Sequence, residues 1–288
     1  MRTKEPCFHL SMKHLETGLL FRDREDYIAG WNRLVVCQQK TEIIIYAFAL
    51  MSNHFHLLMR GSSDTAKAFF EHYRKTTSMY MQSKYGLTEF GKSVQIGAVV
   101  PITDPDMFRT EVAYILRNPY KAGIGNPFTY EWSSAIVYFN PFYQSITGVP
   151  IRRISIEKQR ALMRSRMLLP DTFELIDGKI GIKSFVDYQF VEDIFEGSVQ
   201  LFDAVRNWNT ERESLRLRDG NEYNAYDDQV IQARMTLLLK EFGIEDWDGR
   251  DPVQTRLMVR AMRSRLGCSQ KQIVRVAAIP EDQVRKYF

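Results

Sequence analysis

Most of the features that would mark a special environment are missing from this sequence. Three cysteines in 288 residues (Cys7, Cys37 and Cys268) are too scattered for a disulfide framework or a structural zinc site. The longest apolar run, IIIYAFALM at 43–51, falls far short of the roughly 20 residues that cross a bilayer. The stretch MRTKEPCFHLSMKHL has no continuous apolar core of the kind a signal peptide needs. No internal repeat or low-complexity tract is visible. With 44% hydrophobic and 26% charged residues the chain can bury an ordinary globular core. The expectation is a cytoplasmic protein without a membrane partner.

Net charge is only +4 and names no partner by itself. Its distribution is more informative. Residues 221–251 carry three basic and eight acidic side chains, whereas 252–288 carry eight basic and two acidic, a surplus of six. That last segment reads either as a phosphate-facing patch or as a solvated helical surface.

Three regions follow from the pattern. Over 1–148 strands and helices alternate: strand 6–12, amphipathic helix 24–40, strands 42–50 and 54–60 joined by a tight turn at MSN, a long helix 64–86, a strand near 97–102 and a helix 106–118. Thr103 or Asp104 can cap that helix, and Pro119 is expected to end it at Asn118. This order predicts an α+β fold, a ferredoxin-like sheet with helices mainly on one face. Residues 149–220 read as a mixed, mostly helical extension with a turn at Asp177–Gly178. RDGNEYNAYDD at 218–228 reads as a linker, and 221–288 as a helical region.

Within 252–288 the spacing predicts a helix-turn-helix. A helix at 253–267 carries Leu257, Val259, Ala261 and Met262, Ser269 caps a short helix, and Pro280 opens another. Ile273, Val276, Ile279 and Val284 would form its core, leaving Lys271, Arg275, Arg285 and Lys286 for DNA. A helical hairpin packed on the rest of the chain is the competing reading.

MSNHFHLLMR at 51–60 otherwise reads as a buried strand, yet it holds two histidines with one residue between them. Strand alternation sends His54 and His56 to one face and Phe55 and Leu57 to the other, with the imidazoles about 7 Å apart. Two such rings suit adjacent positions around one metal ion, although an isolated H-x-H more often makes ordinary hydrogen bonds. Tyr114 and Asn118, four apart on a helix, share a face. A phenol, an amide and two imidazoles make a nucleophile with mixed nitrogen and oxygen ligands, a set favouring Mg2+ or Mn2+ over structural zinc.

MSNHFHLLMRG and AYILRNPYKAGIG, followed by YEWSS at 130–134, resemble in order and spacing the signatures of single-tyrosine HUH transposases. The closer resemblance is to the REP-associated tyrosine transposases, and it covers about 130 residues. It implies that His54 and His56 bind the metal, that Asn118 completes the site, and that Tyr114 becomes joined to DNA. Ser52 stands where proline is usual, and GLTEFGKSVQIGAVVP lacks the Arg-rich run common there.

The implied reaction is cleavage and rejoining of single-stranded DNA at hairpins through a 5′-phosphotyrosine, with a divalent cation. Arg60 and Lys121 lie beside the motifs and can hold phosphates, or can be solvated surface charge. A homodimer fits the resemblance as well as a monomer. A second function class is a decayed transposase fold that grips hairpin DNA without cutting. An RNA-binding module would call for exposed sheet aromatics, which the histidine strand lacks. Trp132, Tyr73 and Tyr80 read as core, and His9, His14 and His72 have no partner pattern.

Overall fold

A computed structural model describes residues 6–15, 18–206, 228–266 and 268–288. The linker read at 218–228 lies outside the described residues except for Asp228. The chain runs β1 (Cys7–Met12), α1 (Arg24–Thr41), β2 (Ile44–Met51), β3 (His54–Arg60), α2 (Ser63–Tyr85), a single turn α3 (Phe90–Ser93), β4 (Ile96–Ile102) and α4 (Pro105–Lys121). The four strands form one antiparallel sheet in the order β2-β3-β1-β4. The histidine strand is therefore interior, bonded on both sides, with His56 opposite Ala49 on one neighbour and Ser11 on the other. Two flanking strands fix its backbone far better than a loop would.

Local chemistry accounts for the element ends. Asp23 caps α1 by accepting from the Asp26 N–H, and Ser62 with Thr65 forms a reciprocal capping box on α2. Gly86, at φ 70°, closes α2 in the left-handed region that glycine enters without strain. The β2–β3 turn is clamped from outside, because the Ser52 carbonyl accepts from the N–H groups of Leu20 at 2.7 Å and Phe21 at 3.0 Å.

Alternation along β3 has the expected consequence and one that was not expected. Phe55 packs on Tyr73 of α2 with ring centroids 4.8 Å apart, while His56 on the opposite face meets Tyr114 of α4. Helices thus cover both faces, correcting the one-sided arrangement: α1 and α2 lie on one, α4 on the other. The helix expected to stop at Asn118 also continues through Pro119 to Lys121. Proline lacks the N–H that would bond to the Ile115 carbonyl, and the Asn118 side-chain amide donates to that carbonyl instead, at 3.2 Å. Tyr120, two residues past the expected end, is on the helix's last turn and exposed.

The YEWSS segment seals the outer edge of β2. Leu50 N–H donates to the Trp132 carbonyl at 2.9 Å and Phe48 N–H to Ser134 Oγ at 2.9 Å, while Tyr130 Oη donates to the Leu50 carbonyl at 2.7 Å. An edge that would otherwise offer bare backbone to another chain is thereby satisfied. Trp132 stacks on Tyr27 in the core, where the sequence analysis placed it.

Beyond α4 come α5 (Pro141–Ser145), β5 (Val149–Pro150), α6 (Ile156–Met163), β6 (Glu174–Ile176), β7 (Lys179–Ile180), α7 (Tyr188–Phe195) and α8 (Ser198–Arg206). Asp177 and Gly178, at φ 49° and 81°, turn β6 into β7 as sequence spacing predicts. Ile151, Ile180, Val191 and Leu201 join the same core as the sheet. Four further helices, α9 (Asp228–Glu241), α10 (Pro252–Leu266), α11 (Gln270–Ala277) and α12 (Glu281–Tyr287), enclose a second core. Among the described residues no helix is long and apolar enough to cross a membrane.

Ser269 caps α11 and accepts from the Gln272 N–H at 3.2 Å, and Ile273, Ile279 and Val284 are buried with Val276 partly so. Leu257 is 43% exposed, and Met258 takes the core place assigned to it. Arg275 departs further from expectation. Its side chain is 2% exposed, ion-paired to Asp228, and donates to the Leu15 carbonyl at 2.7 Å. It is a buried clasp rather than a DNA contact. Lys271, Arg285 and Lys286 stay at the surface, with Arg285 paired to Glu281. Removing one partner of a buried pair strands the other charge, so Arg275→Ala should destabilise the last four helices by about 3–5 kcal/mol. Any salt dependence of DNA binding should stay as it was. Unchanged unfolding together with a shallower salt slope would contradict this placement.

Candidate active site

The histidine strand and α4 bring the anticipated group together. His54 and His56 rings stand 5.0 Å apart between centroids, and the Tyr114 ring lies 5.4 Å from His56. Both histidines are almost fully buried, at 6% and 5% exposure, so the site is enclosed rather than open. Tyr114 is partly exposed.

His54 is prepared on one side and bare on the other. Its Nδ1 meets Asn53 Oδ1 at 2.8 Å; an amide oxygen only accepts, so Nδ1 carries the proton and Nε2 keeps its lone pair. That Nε2 is buried, with no hydrogen-bond partner among the described residues. Burial, helped by His14, His56, Arg275 and Lys121, holds the His54 pKa well below its usual value. A neutral ring with an unused buried lone pair is the state that a metal ligand requires.

Sequence reasoning missed three residues here. His14 stacks on His54 at 3.8 Å, with its pKa pushed down to about 4, first by burial and then by Arg275. His9 of β1 places Nε2 3.0 Å from His56 Nδ1, and its Nδ1 lies 2.9 Å from a carboxylate oxygen of Glu111. His9 also contacts the Tyr114 ring, with centroids 5.6 Å apart. Glu111 is three residues before Tyr114, so its helical face was legible; its pairing with a residue 102 positions earlier was not.

The remaining site residues divide. Lys121, at the end of α4, is close enough to influence both His54 and His14 electrostatically. Asn118 donates its amide nitrogen to its own helix, to the carbonyls of Tyr114 at 3.0 Å and Ile115 at 3.2 Å, so its oxygen is the side-chain atom left to accept. Arg60 is four residues beyond His56, roughly 13 Å along the strand. It lines a separate cavity of about 1080 Å3 with Asp104, Asp187 and Asp193, surroundings that repel phosphate.

Among the described residues no three histidine, cysteine, aspartate or glutamate side chains gather as a metal site. A cation on His54 and His56 therefore needs oxygen from an amide or from substrate, which the Asn118 oxygen and a phosphate can supply. The donor set and the bare Nε2 fit a hard divalent ion with vacant positions. Protein-family models, curated proteins and solved structures contain no match to this chain.

Proposed function

We propose that the chain is a single-tyrosine HUH-type nuclease and strand transferase acting on single-stranded DNA at hairpins. The observation that carries this reading is the enclosed meeting of His54, His56 and Tyr114, with His54 Nε2 buried and unused. A ferredoxin-like reading of the sheet agrees with its β2-β3-β1-β4 order.

In the reaction, Tyr114 Oη gives up its proton and attacks a backbone phosphorus, the bond from phosphorus to O3′ breaks, and the 3′ oxygen takes up a proton, so none is gained or lost overall. The products are a 5′-phosphotyrosine and a free 3′-hydroxyl. Because the new ester keeps the free energy of the old one, a second hydroxyl can reverse the step without ATP. His54, His56 and Asn118 would hold Mg2+ or Mn2+, which when bound neutralises charge on the phosphate. Lys121 adds a fixed positive charge beside the same phosphate, and the sheet fixes the two imidazoles relative to α4. Lys271, Arg285 and Lys286 on the helix-turn-helix-like end would contact duplex phosphates.

A second reading, a regulator that grips hairpins without cutting, is favoured by the burial of both histidines and by the stacking of His14 on His54. Incubation with a labelled single-stranded oligonucleotide and Mn2+ separates the two. A denaturation-resistant adduct supports cleavage, and hairpin binding without one supports the regulator.

A further inference from the structure

We infer that Glu111 and His9 are positioning residues that fix the tautomer of His56, an inference that rests on the metal-dependent reading above. Glu111, His9 and His56 form one buried chain, at 1%, 4% and 5% exposure, running from the nucleophile's helix through β1 to the histidine strand. Its direction follows from donor and acceptor counts. An ionised Glu111 draws the proton to His9 Nδ1 across the 2.9 Å ion-pair contact, although the two atoms are not aligned as a hydrogen bond. A neutral His9 then offers a lone pair at Nε2, and the 3.0 Å contact takes its proton from His56 Nδ1. His56 is left with its lone pair on Nε2, as Asn53 leaves His54. The two histidines are thus set alike by different partners, one by an amide and one by a carboxylate relayed through a second imidazole. Ligating histidines elsewhere are oriented by a carboxylate or carbonyl on the other ring nitrogen.

The alternative direction requires either a protonated Glu111 or a doubly protonated His9, so that His9 Nε2–H donates to His56 Nδ1 and the His56 proton sits on Nε2. A doubly protonated His9 puts a positive charge beside a cation site, where like charges repel, and a protonated Glu111 removes the negative charge that would offset the cation. The chain has a second effect, because Glu111 and Tyr114 sit one turn apart on α4. Holding Glu111 to β1 holds the phenol in register with the imidazoles, and Tyr114 touches both His9 and His56.

Imidazole nitrogen shifts of the full-length chain, labelled with 15N-histidine and measured with and without Mg2+, test this directly. The chain's five histidines can be assigned by single substitutions. In the wild type, His56 should be protonated on Nδ1. His9→Gln, whose amide can accept from His56 and donate to Glu111, should keep that tautomer and keep Mn2+ affinity within about threefold. His9→Leu should mix the tautomers and weaken Mn2+ binding by about 10–100-fold. Glu111→Gln can satisfy either direction, so it should lose the bias as well. A merely structural role would instead lower the melting temperature in all three variants without moving the His56 shifts. His56 protonated on Nε2 in the wild type overturns the inference even if His9→Leu fails to fold. DNA adducts do not enter this readout: their absence alongside the Nδ1 tautomer counts against the nuclease reading alone.

Discussion

Tyr114→Phe should eliminate covalent protein–DNA adducts while leaving hairpin affinity within roughly tenfold, about 1.4 kcal/mol. The substitution removes one oxygen. The ring stays where it is, because its neighbours are the edges of His9 and His56 rather than partners of the hydroxyl alone. On the proposed function, substrate binding would draw on backbone phosphates and duplex contacts elsewhere, so the loss should appear in the chemical step and not in the ground state. Competing tyrosines are poorly placed. Tyr73 and Tyr80 are buried under α1, and Tyr120 is exposed with the Arg117 guanidinium over its ring. An adduct that persists in the phenylalanine variant would show that another residue attacks.

The second large effect is at the histidine pair. On the proposed function, removing either imidazole should lower cleavage by at least about a hundredfold, since each would supply a metal ligand that water replaces poorly. An open, polar site would let His54→Ala pass without cost in stability, but this site is enclosed. Alanine there leaves a void beneath His14 and an unpaired Asn53 oxygen, at a cost of about 1–3 kcal/mol. His54→Gln keeps volume and a donor for Asn53, so it is the cleaner variant. It should melt near the wild-type temperature, bind Mn2+ at least tenfold more weakly by electron paramagnetic resonance, and lose cleavage. Cleavage at wild-type rate without metal in the double variant of His54 and His56 would sink the metal assignment.

Much of this was legible because it is local. Alternation on β3 put the two histidines on one face, and i,i+4 spacing put Tyr114 and Asn118 on one stripe of α4. Asp104, Ser269 and Asp177–Gly178 act as caps and turn because their chemistry is short-range. What stayed hidden depends on distant pairing. His9 carries no motif, and its role follows from β1 lying beside β3, a fact of strand order. His14 meets His54 only because the loop after β1 folds back, with Leu15 N–H on the Asn53 carbonyl at 3.1 Å. Arg275 looked like surface charge because nothing in its own helix reveals Asp228, 47 residues earlier, as its partner. Pro119 misled for a different reason: the rule that proline ends a helix assumes no substitute donor, and Asn118 is one.

Mass-spectrometric mapping of the residue that carries DNA tests the central claim most directly. After incubation with a hairpin bearing a single-stranded flank and Mn2+, nuclease digestion and proteolysis should leave a nucleotide attached by its 5′-phosphate to Tyr114 and to no other residue. Chelation of the metal should abolish it. A nucleotide on another side chain, or a wild-type protein that binds the hairpin yet yields no modified peptide, would contradict the account.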